Sequence, residues 1–164
     1  MNMLALVKLV FMESKTQDLF ISQVTSISIP RMESFKEIPG MLALVEGLKE
    51  AGYRVAMLSN ISADIAMLVR EIGFYKPFDP VVLSCDINAK KPDVKAYHIL
   101  LKRLGCAPDK CLFIDDRERN IQAAKKVGID GLVFLYPDKL KRQLKEKGVF
   151  WTEKGAAREV SLTK

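Results

Sequence analysis

The chain has 164 residues, 49% of them hydrophobic and 28% charged, with a formal net charge of +6. That length carries one domain with a real core, and that balance is the one of an ordinary globular protein. No stretch approaches the roughly 20 apolar residues of a membrane-spanning helix, and the apolar opening Met1 to Met12 lacks the basic start and small-residue cleavage site of a signal peptide.

From Pro39 onward helix and strand patterns alternate. Pro39-Gly40 breaks the chain, and Met41 to Ala51 predicts an amphipathic helix closed by Gly52. Tyr53 to Leu58 reads as a short apolar strand, Ala63 to Ile72 as a helix ended by Gly73, and Val81 to Ser84 as a second strand. Asp93 to Leu104 follows as a helix with Gly105 at its end, and Cys111 to Ile114 as a third strand. Asn120 to Val127 predicts a helix ended by Gly128, and Leu132 to Leu135 a fourth strand. Short apolar strands alternating with helices imply an α/β fold with a mainly parallel sheet covered on both faces.

The remaining features read as ordinary structure. Lys139, Lys141, Arg142, Lys145 and Lys147 carry much of the positive charge and form the solvated face of a helix. Nucleic-acid binding would need interleaved aromatics or a recognisable module, and neither is present, so no nucleic-acid or membrane partner is expected. Cys85, Cys106 and Cys111 form no C-x-x-C pair and read as reduced thiols of a cytoplasmic protein. His98, the only histidine, lies in a helix and reads as a packing or surface residue. Trp151 reads as an aromatic that docks the tail, and Ala156 to Lys164 as a frayed terminus.

In a parallel sheet of this kind ligands bind beyond the carboxyl ends of the strands. The strand from Tyr53 runs into Ser59-Asn60, and the strand from Cys111 runs into Asp115-Asp116. Lys90-Lys91-Pro92-Asp93 stands between them, just before a helix. A hydroxyl, an amide, a lysine and two carboxylates therefore converge on one edge. The lysine and hydroxyl suit a phosphate, and the carboxylates suit magnesium, which prefers oxygen ligands. Each piece alone is equally a helix cap or a surface turn. The joint order on successive βα units is much more specific.

These residues resemble the haloacid dehalogenase superfamily, closest to its phosphatase-like members. The resemblance runs from about Ile38 to Leu135, through IPGMLALVEGLKEAGYRVAMLSN, NAKKPDVKAYHILLKRLG and CLFIDDRERNIQAAKKVGI. It implies a Rossmann-like core in which Ser59, with Asn60 beside it, binds the transferring phosphoryl oxygen. It implies Lys91 as the catalytic lysine that steadies charge on nucleophile and phosphate. Asp115 and Asp116 would hold Mg²⁺ directly or through water, with Asn120 supporting the metal shell. The implied substrate is a small phosphorylated metabolite.

The same resemblance exposes a departure. The family's nucleophile lies in an Asp-x-Asp motif near the amino terminus, and no two aspartates of this chain are two positions apart. Two arrangements follow. In the favoured one, residues 1–37 are a helical cap remnant, Met1 to Phe20 lies outside the sheet, and the central nucleophile strand is missing from a truncated chain. In the other, Leu4 to Phe11 is a degenerate first strand, and Phe11-Met12-Glu13-Ser14-Lys15-Thr16 overlays the family's Phe-Asp-x-Asp-Gly-Thr. Met12 and Ser14 then stand where the aspartates belong. Either way the expectation is an inactive phosphatase-like chain with residues 38–150 as its core, 151–164 as a tail, and weak Mg²⁺ binding. A catalytically silent binding protein that keeps an anion pocket is the alternative.

Overall fold

The computed structural model describes residues 5–7, 38–71 and 73–153, the first three by backbone alone. Ala5–Val7 is strand β1, Met41–Glu50 helix α1, Arg54–Ser59 β2, Ala63–Glu71 α2, and Val81–Leu83 β3. Ser84–Ile87 is the short helix α3 and Val94–Leu104 is α4. A 3₁₀ turn at Pro108–Lys110 leads into β4, Cys111–Asp115. Glu118–Lys126 is α5, Asp130–Val133 β5 and Pro137–Glu146 α6. The five strands form one sheet in the order β3-β2-β1-β4-β5, and every pairing is parallel.

β1 corrects the expectation of a missing central strand. Ala5, Leu6 and Val7 pair with Arg54, Val55 and Ala56 on one side and with Cys111, Leu112 and Phe113 on the other. Leu4, Val7, Val10 and Phe11 satisfy a helical period, and that spacing favoured a helix. The sheet overrides it. β2 and β4 flank a slot whose unpaired N–H and C=O groups would otherwise be buried, each at a cost of about 1–3 kcal/mol. Three residues of the chain's own amino-terminal part pair with both edges, along Arg54–Ala56 and Cys111–Phe113. The rest of the expected helix in Met1 to Phe20, the cap remnant, Met12 and Ser14, Ile72 and the terminus from Ala156 lie outside the described residues.

The strands bury both faces by alternation. Val55 and Met57 of β2 and Leu112 and Ile114 of β4 face one core with Leu44, Val45 and Leu48 of α1 and Leu140 and Leu144 of α6. Ala56 and Leu58, with Cys111 and Phe113, face the other core with Tyr97 and Leu100 of α4 and Ile121 and Ala124 of α5. β5 begins two residues earlier than the apolar run Leu132 to Leu135 suggests, because its register is set by β4, with Leu112 opposite Asp130. Gly131 makes that register possible: a Cβ there would meet Ile121 Cγ2 at 2.8 Å. After α6 the chain crosses α1 at Gly47, where a Cβ would meet the Thr152 carbonyl oxygen at 2.2 Å. Trp151 packs at the edge of the first core there, as a docking aromatic.

Candidate functional site

The site lies at the carboxyl edge of the sheet, where β2 and β4 end on either side of β1. β2 delivers Ser59, half-buried, and β4 delivers Asp115, fully buried. The loop beyond Ser59 is held by Ser84, the first residue of α3. Its Oγ accepts from the Ile61 N–H at 2.9 Å and donates to the Ile61 carbonyl at 3.0 Å.

Lys91 reaches this edge from the loop before α4, and its side chain is 1% exposed. Its ammonium donates to the Leu58 carbonyl and to Asp115 Oδ2, each at 2.8 Å. It also lies 5.7 Å from the centroid of the Phe113 ring, a cation–π contact. Asn60 fixes the backbone that carries this lysine. Its amide donates to the Lys91 carbonyl and its Oδ1 accepts from the Lys91 N–H, both at 2.8 Å. A two-point amide-to-backbone clamp leaves the lysine little freedom, so its side chain enters the sheet edge at a set angle. Asp93 then opens α4 by accepting from the Lys95 N–H at 2.9 Å.

Asp115 is satisfied from a second side by α5. Its Oδ1 accepts from the Arg117 N–H at 3.0 Å and from the Asn120 amide at 2.8 Å. The carboxylate can only accept, so the Asn120 side chain must present its NH₂ to it. Asn120 Oδ1 is left buried without a hydrogen-bond partner among the described residues. The Asn120 carbonyl in turn accepts from the Tyr97 hydroxyl at 2.8 Å. Burial, with the Asp115 charge adding to it, pushes the Tyr97 phenol well above its usual range, so it remains a neutral donor.

Thus the structure joins Lys91, Asp115, Asn60 and Asn120 in one hydrogen-bonded network beside Ser59. Asp116, the first residue beyond β4, is exposed and is not joined to this network by a hydrogen bond among the described residues. His98 is exposed on α4. Sequence reasoning did not single out Tyr97, Ser84 or the Leu58 carbonyl. Tyr97 was detectable in principle: it sits in the α4 stripe Ala96, Tyr97, Leu100, Leu104, and a buried tyrosine needs a partner for its hydroxyl. Ser84 and Leu58 have no such signal, since their partners are distant in sequence.

The described residues do not by themselves fit a magnesium shell. Both oxygens of Asp115 are engaged, by Lys91 on one and by Arg117 and Asn120 on the other. Asp116 is the exposed carboxylate of the pair. No group of three His, Cys, Asp or Glu residues gathers around a point among the described residues.

Known proteins share the family and the fold of this chain. The profile of the haloacid dehalogenase-like hydrolases matches residues 15–128. The phosphorylated carbohydrates phosphatase of Thermotoga maritima is 29% identical over 99 residues, covering 60% of this chain and 46% of that protein. The chain spans about half the length of the curated relatives it matches. A phosphatase of the same superfamily from Thermococcus onnurineus superposes with a TM-score of 0.61 at 22% identity, over 71% of this chain and 60% of that one. A family enzyme from Bacteroides thetaiotaomicron, solved with magnesium and inorganic phosphate, gives a TM-score of 0.55 at 25% identity, over 63% and 56%. The profile covers well over half of the chain, so this protein belongs to the haloacid dehalogenase-like hydrolases.

Proposed function

We propose that the chain is a phosphatase-type core that recognises the phosphate of a small phosphorylated metabolite but does not hydrolyse it by itself. The observation that carries this reading is the placement of Lys91. Its ammonium is fixed by Leu58 and Asp115 at the edge where Ser59 and Asn60 emerge. A fixed cation beside a hydroxyl is an arrangement that orients a phosphoryl group, and in phosphoryl transfer positioning and electrostatics dominate. Lys91, Ser59 and Asn60 are the phosphate-facing set of this reading. Asp115 and Asn120 position Lys91, and Asp116 is the carboxylate open to a hydrated Mg²⁺. Residues 38–150 carry these groups, with Ala5–Val7 completing the sheet. The free thiols favour a reducing, cytoplasmic setting.

Hydrolysis by this family's route needs an aspartate to attack phosphorus, and the sequence holds no Asp-x-Asp pair. The filled central slot favours a second reading, a silent binding protein. The strand that would carry the nucleophile is present, and the first aspartate beyond Val7 is Asp18, eleven residues on.

Both readings expect no release of p-nitrophenol from p-nitrophenyl phosphate with Mg²⁺, and a millimolar-scale or undetectable calorimetric Kd for Mg²⁺. Orthophosphate should shift the backbone amide resonances of Ser59 and Asn60, and Ser59→Ala should weaken that response. Turnover that Ser59→Ala abolishes would overturn the proposed silence. Unshifted resonances would overturn phosphate recognition.

A further inference from the structure

The one close pair of thiols among the described residues lies far from the phosphate edge. α4 ends at Leu104, and Gly105 turns the chain with φ 62°, its N–H bonded to the Leu101 carbonyl. Only a residue without a Cβ adopts that conformation cheaply. Cys106 follows, half-buried, and the 3₁₀ turn at Pro108–Lys110 folds the chain back so that β4 starts beside it. The Cys111 N–H closes this turn on the Pro108 carbonyl. Cys106 Sγ and Cys111 Sγ are then 3.0 Å apart. That is about 1 Å beyond the covalent S–S length of about 2.05 Å.

We propose that Cys106 and Cys111 form a reversible intramolecular disulfide, making the α4–β4 turn a site of oxidation by hydroperoxides. Cys106 is the thiol that peroxide reaches, because Cys111 is 1% exposed. Burial, together with the Cys106 contact, also pushes the Cys111 thiol well up, which leaves it the weaker first nucleophile. The Cys106 thiolate attacks one oxygen of hydrogen peroxide, the O–O bond breaks to give Cys106 sulfenic acid, and the leaving hydroxide takes up the proton that Cys106 released and becomes the first water. Cys111 sulfur then attacks the Cys106 sulfur, and the S–O bond breaks. The leaving hydroxide takes the Cys111 proton as a second water. Two thiols lose two electrons and two protons, and one hydroperoxide is reduced.

The fold excludes the third cysteine as a partner. Cys85 is exposed in α3, immediately beyond the carboxyl end of β3, whereas Cys111 begins β4 at the opposite edge. Strands of this length separate the two edges by on the order of 13 Å, and a disulfide tolerates no more than about 7 Å between Cα atoms. Neither Cys106 nor Cys111 belongs to the Lys91–Asp115 network, so the site is independent of phosphate recognition.

The test is peptide mapping of the full chain after stoichiometric hydrogen peroxide and alkylation of remaining thiols. Trypsin cuts at Arg103, Lys110 and Arg117, so the bond joins peptides 104–110 and 111–117 into one species two hydrogens lighter than their sum. This species should appear in the folded chain, vanish with dithiothreitol, and form more slowly in urea. In Cys106→Ser it should be absent, with Cys111 still alkylated after unfolding. Accumulation of Cys106 sulfinic acid beside an unmodified Cys111 would overturn the proposal. So would a link to Cys85, or bond formation in urea as fast as in the folded chain.

Discussion

Lys91 and Lys147 both meet an aspartate, at 2.8 Å and 2.5 Å, yet the two contacts differ in kind. The Lys91–Asp115 side chains are 1% and 0% exposed, and the Lys147–Asp130 side chains 34% and 56%. Water screens the second pair and competes for its hydrogen bonds, so it contributes little. Around the first, protein groups replace water: Leu58, Arg117 and Asn120 complete the hydrogen bonding. The separation of charges does not decide what an ion pair does. Its surroundings do.

The largest effect expected from breaking this contrast is at Lys91. Lys91→Met leaves the Asp115 carboxylate buried and uncompensated, which should cost about 3–5 kcal/mol in urea unfolding. A typical domain has only about 5–15 kcal/mol of stability, so this is a severe loss. Adding Asp115→Asn to Lys91→Met removes the orphaned charge and should restore most of it. A single variant as stable as the parent would show that Lys91 and Asp115 are not joined as described.

A middle-sized effect sharpens the buried side. Tyr97→Phe keeps the ring against Phe113 but removes the donor to the Asn120 carbonyl. A loss of about 0.5–1.5 kcal/mol is expected, measured by the same unfolding. A change near zero would mean that the hydroxyl is dispensable to the α4–α5 support of Asp115.

The smallest effect is at the surface. Lys147→Ala should cost no more than about 0.2–1 kcal/mol at neutral pH, fading at high salt. The Lys147 hydrogen bond holds the Asp130 carboxyl below its ordinary value of 3.8. A carboxyl lowered by folding adds stability above that value and loses it as pH falls through the folded value. The difference between parent and Lys147→Ala should therefore be present at neutral pH and vanish well below pH 3.8, followed as Tm against pH. A difference that grows on acidification would contradict the sign.

How much was legible beforehand follows the range of each interaction. The helices over Met41–Glu50 and Val94–Leu104 were placed within a residue, because spacing, caps and the glycines that end them act over one or two turns. Val81 to Ser84 was read as strand throughout, whereas Ser84 opens α3. Its hydroxyl is tied to Ile61, a partner 23 residues away that no local pattern reveals. The convergence of Ser59, Asn60, Lys91 and Asp115 on one edge was foreseeable because parallel βα units place every strand end on the same side, whereas Asp116, read with them, is exposed and outside the network. The individual bonds there were not.

The sequence by itself determined the alternation of strands and helices, the residue types at the strand ends and the absence of an Asp-x-Asp pair. Tertiary structure alone decided the role of Ala5–Val7, whose local pattern fitted helix and strand alike. β2 and β4 offer two open backbone edges, and pairing both outweighs a weak local preference. It alone turned Asn60 into the clamp on Lys91 and brought Cys106 to Cys111. In each case the deciding partner is supplied by the packed fold, whose geometry no short stretch of sequence specifies.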